Sequence, residues 1–110
     1  MANFNGKDYV FDRTESRAAA DWTYFDTLRA AWPGKLVVKG VLHPEDALRL
    51  RDAGADAIQV SSHGCRQLES APPAILALRD IRAAVGADFP LFFDTGIRSG
   101  EDVVTALVMG

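Results

Sequence analysis

From residue 36 onwards the chain alternates short β-rich runs with longer helical patterns, and this alternation constrains the fold more than any other feature. The β-rich runs are residues 35–41, 57–61 and 90–94. The first is β-branched and mostly apolar, which is typical of a strand buried on both faces. Strands that alternate with helices indicate β-α units and a parallel sheet. We therefore predict an α/β fold with about three parallel strands and their helices.

Local signals predict where the helices begin and end. Pro44, followed by two acidic residues, suits a first helical turn, where its missing N–H costs nothing and the helix dipole favours negative charge. The three helices are predicted to end at Gly54, Gly86 and Gly110. The inner side of the first helix is predicted to carry Ala47, Leu48, Leu50 and Ala53. The apolar positions of the second helix recur every three or four residues, at Ile75, Leu78, Ile81 and Val85, and the third helix carries Val103, Val104, Leu107 and Val108.

The N-terminal third is less regular. Residues 18–32 predict an amphipathic helix with Trp22, Phe25, Leu28 and Trp32 on one side, and residues 1–17 predict an irregular segment. We expect residues 18–110 to form one partial domain. Because three parallel strands cannot close a barrel, the chain is either a small open α/β domain or part of a (β/α)₈ barrel, which takes about 250 residues.

Composition excludes several classes of protein. With 48% hydrophobic residues the chain is too apolar to be disordered, and a net charge of −3 with scattered basic residues indicates neither nucleic-acid nor anionic-membrane binding. The single cysteine, Cys65, forms no internal disulfide, and no Cys/His set has zinc-site spacing. We expect no metal, no signal peptide, no transmembrane segment and a cytoplasmic location, with peripheral attachment to the inner face of a membrane as an alternative.

Polar clusters follow each predicted strand, at the edge of an α/β sheet where ligands bind. The clusters are Lys39, residues 61–67 and residues 94–100. A lysine after three apolar residues predicts either a fixed positive charge beside an anion or a side chain that reaches solvent. His63 is a candidate base near neutral pH, and the planar guanidinium of Arg66 suits a carboxylate, although an ordinary polar loop is the alternative.

Residues 95–100 resemble a phosphate-binding loop. Glycines allow close backbone approach, Arg98 and Ser99 can donate hydrogen bonds, and a helix N-terminus follows. The structural alternative is a tight β-α turn in which Ser99 or Gly100 caps the helix. Asp94, at the end of the strand, could bind loop amides or a ligand hydroxyl.

Taken together, the three clusters resemble the C-terminal part of the FMN-dependent α-hydroxy-acid dehydrogenases and oxidases, the family of L-lactate dehydrogenase, glycolate oxidase and mandelate dehydrogenase. Three ordered motifs at the family's spacing are a specific signal, unlike any one of them alone. The resemblance is strong over residues 36–110 and extends to residue 18. The motifs are Val38-Lys39-Gly40-Val41, Ser61-Ser62-His63-Gly64-Cys65-Arg66-Gln67-Leu68 and Asp94-Thr95-Gly96-Ile97-Arg98-Ser99-Gly100.

The resemblance implies a partial (β/α)₈ TIM barrel, with the predicted strands as the fifth, sixth and seventh. It implies FMN as cofactor and a small L-2-hydroxy acid such as lactate as substrate. By the same resemblance, His63 would take a proton from the hydroxy acid and Arg66 would bind its carboxylate. Lys39 would lie near the N1/O2 edge of the flavin. The implied cofactor-binding residues are Lys39, Ser61, Asp94, Gly96 and Arg98.

The chain departs from the family pattern in two respects. Ser62 stands where the family usually has Asn or Gly, and Cys65 stands where it has a second Gly, so a positive φ at Cys65 would cost about 1 kcal/mol or more. The family's N-terminal half-barrel and eighth strand have no counterpart here, so we predict that the 110-residue chain alone is inactive. The alternatives are a non-catalytic half-barrel that associates with itself or with a partner half, and another phosphate-binding barrel enzyme.

Overall fold

A computed structural model describes residues 20–66 and 68–110 of the protein, so the predicted irregular segment, residues 1–17, lies outside the described residues. The elements, in chain order, are α1 (Trp22–Ala31), β1 (Val37–Val41), α2 (Pro44–Asp52), β2 (Ala57–Val60), a 3₁₀ turn (His63–Cys65), α3 (Ala74–Val85), β3 (Leu91–Phe93) and α4 (Gly100–Met109). The chain divides into two compact units between Ala31 and Trp32, and α1 and the sheet belong to different units. The domain boundary expected at residue 18 stays a prediction.

Helix α1 is shorter than the predicted segment. The rings of Trp22 and Phe25 pack edge to face, with their centroids 6.5 Å apart and their planes at 71°. Phe25 is buried. Leu28 is partly exposed, and Trp32 lies beyond the helix end, where its indole N–H donates to the carbonyl of Lys35 at 3.1 Å. The predicted apolar side is therefore confirmed for its first two members only.

The three strands form a parallel sheet in the order β1-β2-β3. Lys39 of β1 is in register with Gln59 of β2, and Gln59 is in register with Phe92 of β3. The pairing shifts by one residue at Gly40, whose φ of +94° is readily available only to glycine. The predicted β-α alternation is confirmed, with each strand one or two residues shorter than its run.

The core lies between one face of the sheet and helices α2 and α3. Ile58, Val60 and Ile81 are fully buried there, and Leu78 and Leu50 are nearly so. The prediction that the apolar positions of α3 face inward is confirmed, with Ile75 half-buried. Pro44 occupies the predicted first position of α2, and both Gly54 and Gly86 follow their helices with positive φ.

Two burial predictions, for β1 and for Leu48, are wrong, and the apolar positions of α4 are exposed. Strand β1 is not buried on both faces, since Val37 is 46% exposed, because β1 is an edge strand and α2 and α3 cover only one face of the sheet. Leu48 is 36% exposed because it points away from the side of α2 that carries Ala47 and Leu50. None of the residues of α4 is buried, so its apolar positions do not face the described core.

Candidate active site

The register of the sheet brings the predicted polar residues to one face at one edge. Successive side chains of a strand alternate between faces, so Lys39, Gln59 and, two residues later, Ser61 lie on the same side. Asp94 follows Phe92 of β3 by two residues and joins them. The predicted clustering of Lys39, Ser61 and Asp94 at the carboxyl ends of the strands is confirmed.

The ammonium group of Lys39 is fixed by two partners. Its Nζ donates to Ser61 Oγ at 2.8 Å and forms an ion pair with Asp94 Oδ2. Gln59 Nε2 donates to the same Asp94 oxygen at 2.8 Å. The side chain of Lys39 is 41% exposed, but its ammonium group is held by both partners, which favours the fixed-charge interpretation. Sequence reasoning missed Gln59, although an amide within an otherwise apolar strand was the available signal.

Asp94 has one satisfied and one unsatisfied carboxylate oxygen. Partial desolvation raises its pKa, but the bonds from Lys39, Ser61 and Gln59 outweigh this, so the pKa of Asp94 lies below its ordinary value of 3.8. Its Oδ1 is buried and accepts no hydrogen bond from the described residues. A buried acceptor of this kind normally has a partner, so the geometry suits a ligand that offers a hydroxyl or N–H.

Ser61 links this cluster to the loop that carries His63. Its side chain is 1% exposed, and its hydroxyl accepts from Lys39 and, at 3.2 Å, from the backbone N–H of His63. The hydroxyl thus serves groups of the protein itself, and a direct contact of Ser61 with a cofactor stays a prediction.

The loop after β2 has an uncommon backbone. Three consecutive residues, His63, Gly64 and Cys65, have φ of +56°, +68° and +57°, a region that disfavours side chains with a Cβ. The conditional prediction for Cys65 is met, since its backbone has the positive φ that glycine adopts without strain. The His63 imidazole is exposed and lies beside the Gly40 bulge: a Cβ at Gly40 would be 3.5 Å from His63 Nδ1.

Arg66 follows the turn and is exposed to solvent. A Cβ at Gly64 would lie 3.8 Å from Arg66 Nε, so the guanidinium stem folds back over the turn. His63 and Arg66 therefore belong to one short loop at the carboxyl edge of the sheet, as the sequence predicts. Five donor N–H groups make a guanidinium at this position suited to a carboxylate.

The loop after β3 combines open space with a well-capped helix. A Cβ at Gly96, which has a φ of +98°, or at Gly100 would meet no atom within 4 Å, so a ligand can approach the backbone closely. Ser99 caps α4, and its hydroxyl accepts from Asp102 N at 3.2 Å. The predicted helix N-terminus beside the loop is confirmed.

One feature of this loop differs from the predicted phosphate-binding arrangement. Asp102 Oδ2 accepts from the backbone N–H groups of both Arg98 and Ser99 at 2.9 Å, and the Arg98 bond is the main reason that the pKa of Asp102 is lowered. These two amides are already bonded, so the guanidinium of Arg98 is the group of that residue left to bind a phosphate. The acidic residue three positions after Ser99 was the sequence signal for this capping box.

Thr95 is the second functional candidate that sequence reasoning missed. Its φ is +76°, and its Oγ1 accepts from Ser62 N and Ser62 Oγ, both at 3.3 Å. These bonds join the loop after β3 to the loop that carries His63. A cavity of about 420 Å³ lies between the same two loops, with Cys65 and Ile97 among the residues that line it.

Comparison with known proteins identifies the family. The family model for FMN-dependent dehydrogenases matches residues 2–110. The chain is 48% identical over 89 residues to an L-lactate dehydrogenase of Caulobacter sp. (strain K31) and 46% identical over 94 residues to an L-lactate oxidase of Alicycliphilus denitrificans. These matches cover 81% and 86% of this chain, but 23% and 26% of those proteins.

Solved structures support the same family assignment. A soluble mutant of the membrane-associated (S)-mandelate dehydrogenase from Pseudomonas putida superposes with a TM-score of 0.78 at 42% identity, over 84% of this chain and 26% of that one. The fold is therefore part of a (β/α)₈ barrel. The chain belongs to the FMN-dependent dehydrogenase family, whose cofactor is FMN and whose members are oxidoreductases. It spans about a quarter of the length of the curated relatives that it matches.

Neither a membrane-spanning helix nor a metal-binding cluster occurs among the described residues. None of the helices within residues 20–66 and 68–110 is long and apolar enough to cross a membrane. Over the same residues there is no group of three or more His, Cys, Asp or Glu side chains arranged to hold a metal ion.

Proposed function

We propose that this chain supplies the base, the carboxylate-binding arginine and part of the cofactor site of an FMN-dependent enzyme that oxidises a small L-2-hydroxy acid to the 2-oxo acid. The observation that carries the proposal is the meeting of Lys39, Asp94 and the His63 loop at one edge of the sheet. Membership of the FMN-dependent dehydrogenase family and similarity to lactate and mandelate dehydrogenases support it.

The residues at this edge fit FMN chemically. The buried, unbonded Oδ1 of Asp94 is suited to accept from a ribityl hydroxyl. The open space beside Gly96 and Gly100 admits a phosphate near the backbone, and the Arg98 guanidinium supplies a charge-assisted donor. Lys39, whose ammonium group is held by Ser61, would supply a fixed positive charge to a flavin that becomes anionic once reduced.

Each residue then has a defined part in the reaction. The two-electron acceptor would be a bound FMN: as the α-C–H and O–H bonds break and the C=O bond forms, one of the two hydrogens lost would pass to His63 as a proton, and the electron pair with the other would end on the flavin. Arg66 holds the substrate carboxylate through two parallel N–H···O bonds, which fixes the α-carbon relative to the loop. The imidazole of His63 takes a proton from the bound acid, a role for which imidazole is the side chain most often used in general-base catalysis.

Titration of FMN into the ¹⁵N-labelled chain tests the cofactor part of the proposal. We expect the amide signals of residues 94–100 to move more than those of residues 49–53 at the end of α2, which lead to the amino end of β2, opposite the carboxyl edge that carries the proposed site. Riboflavin, which lacks the phosphate, is the matched ligand control and should move the signals near Gly96 and Arg98 less. Shifts that are absent, or equal for the two ligands, would count against a phosphate-binding loop.

The isolated chain is proposed to be inactive because it spans about a quarter of its relatives' length. The test is anaerobic mixing of the chain with FMN and L-lactate while the flavin absorbance is followed. No bleaching is expected, and stoichiometric bleaching would refute this part of the proposal.

A second candidate function is a non-catalytic half-barrel that associates with itself or with a partner half. It is favoured by the two open edges of the described sheet, at β1 and β3, and by the exposed apolar residues of α4, of which Leu107 is 76% and Val108 80% exposed. Light scattering distinguishes it, because a folded and strictly monomeric chain would exclude self-association. Peripheral attachment to a membrane stays a proposal, supported by the membrane-associated mandelate dehydrogenase.

A further inference from the structure

Two hydroxyl groups accept hydrogen bonds from the consecutive backbone N–H groups of Ser62 and His63. Ser61 Oγ accepts from the N–H of His63 at 3.2 Å, and Thr95 Oγ1 accepts from the N–H of Ser62 at 3.3 Å. Ser61 belongs to the polar cluster with Lys39, whereas Thr95 comes from the loop after β3, 33 residues beyond Ser62. The position of the His63 side chain therefore depends on two different parts of the site.

Thr95 contacts Ser62 from a backbone conformation that is rare for its residue type. Its φ of +76° is rare for a β-branched residue and strains the backbone. Its hydroxyl donates to the carbonyl of Asp94, which leaves the lone pairs of Oγ1 to accept from Ser62 N and Ser62 Oγ. Strained backbone of this kind is concentrated where the surroundings fix a functional geometry.

We propose that Thr95 is a positioning residue for His63, and that it transmits ligand binding in the loop after β3 to the loop after β2. The role assigned to His63 here rests on the proposed function. Asp94 and Gly96 flank Thr95 directly, so a ligand bound by them displaces or orders the Thr95 hydroxyl. That hydroxyl contacts the residue preceding His63, so the imidazole responds to cofactor binding without touching the phosphate.

The two hydrogen bonds between Ser62 and Thr95 are weak, so their effect is better measured at the His63 ring than as a change in stability. At 3.3 Å both bonds from Ser62 are at the long end of the hydrogen-bond range, so they add little to the free energy of unfolding. The informative quantity is the environment and mobility of the His63 ring. The chain has two histidines, and His43, at the start of α2, provides an internal reference.

The test uses the 110-residue chain with ¹³C-labelled histidine and the variants T95V and T95S. T95V keeps the β-branch and the volume but removes the hydroxyl, and T95S restores a hydroxyl at the same position. We expect T95V to shift and broaden the Cε1–H signal of His63 while the His43 signal stays in place, and T95S to give a signal close to that of the unmodified chain. Added FMN should move the His63 signal in the unmodified chain and in T95S, but not in T95V.

The comparison without ligand decides the positioning role by itself. The proposal is overturned if T95V leaves the position and width of the His63 signal unchanged, if His43 moves as much as His63, or if T95S behaves like T95V. FMN that fails to move any signal of residues 94–100 refutes the proposed cofactor site and leaves the comparison without ligand intact. FMN that moves those signals and shifts His63 equally in T95V refutes the transmission through Thr95 and leaves the cofactor site standing.

Discussion

Replacement of Cys65 by glycine should stabilise the protein. Cys65 has a φ of +57°, and a residue with a Cβ in this left-handed region costs about 1–2 kcal/mol. Glycine removes that strain but makes the unfolded chain more flexible, which returns about 0.4–1 kcal/mol. The difference between the midpoints of these two ranges predicts that C65G raises the free energy of unfolding by about 0.8 kcal/mol. For a unit of this size, 1 kcal/mol corresponds to roughly 4–8 °C in the melting temperature.

The matched control is C65A, which removes the thiol but keeps the Cβ. Because the backbone strain depends on the Cβ, C65A should unfold at nearly the same temperature as the unmodified chain. Both variants are compared by thermal and urea unfolding, followed by circular dichroism at pH 7 under reducing conditions. A C65G variant that is no more stable than C65A would refute the assignment of strain to Cys65.

Two further substitutions test the charge networks. D94N should make the free energy of unfolding less dependent on pH in the acid range. The pKa of Asp94 is depressed below 3.8 by contacts that include Lys39, so the stabilisation from the Asp94 carboxylate is present above pH 3.8 and is lost as the pH falls through the folded-state pKa. Urea unfolding between pH 2.5 and 7 measures this, and a D94N profile parallel to that of the unmodified chain would be inconsistent with it. Arg82 donates to three backbone carbonyls after α3, including that of Phe89 at 2.7 Å, and to the carbonyl of Gly110. R82K should therefore lower the free energy of unfolding by about 2 kcal/mol. R79K on the same helix changes an exposed ion pair and should cost close to nothing; equal losses in the two variants would exclude a specific role for the Arg82 guanidinium.

Local sequence signals predicted the order of strands and helices well, because they depend on neighbouring residues. Pro44 at a helix start and Gly86 at a helix end occupy the predicted positions. The meeting of Lys39 with Asp94 followed from topology alone, since parallel strands end at one edge. These parts of the site were therefore predictable before any coordinates were known.

Burial and long-range pairing were less predictable. Whether Val37 or Leu107 is covered depends on which elements pack against it, and periodicity carries no information on that point. The bond between Ser62 and Thr95 joins residues far apart in sequence, so no local pattern indicates it. Asp102 was recognisable as a helix-capping residue. Only the loop geometry shows that its carboxylate also accepts from the Arg98 N–H, which leaves fewer donors for a phosphate.

The central claim is that His63, in the loop built by this chain, acts as the base of a hydroxy-acid oxidation. The most direct measurement replaces the matched 89-residue segment of the Caulobacter L-lactate dehydrogenase with the corresponding residues of this chain. The rate of anaerobic flavin reduction by L-lactate is then compared between this chimera and its H63Q variant. We predict reduction in the chimera and a rate about 10²–10⁴ times lower in H63Q, with FMN retained in both. Equal rates in two proteins that both hold FMN would contradict the account.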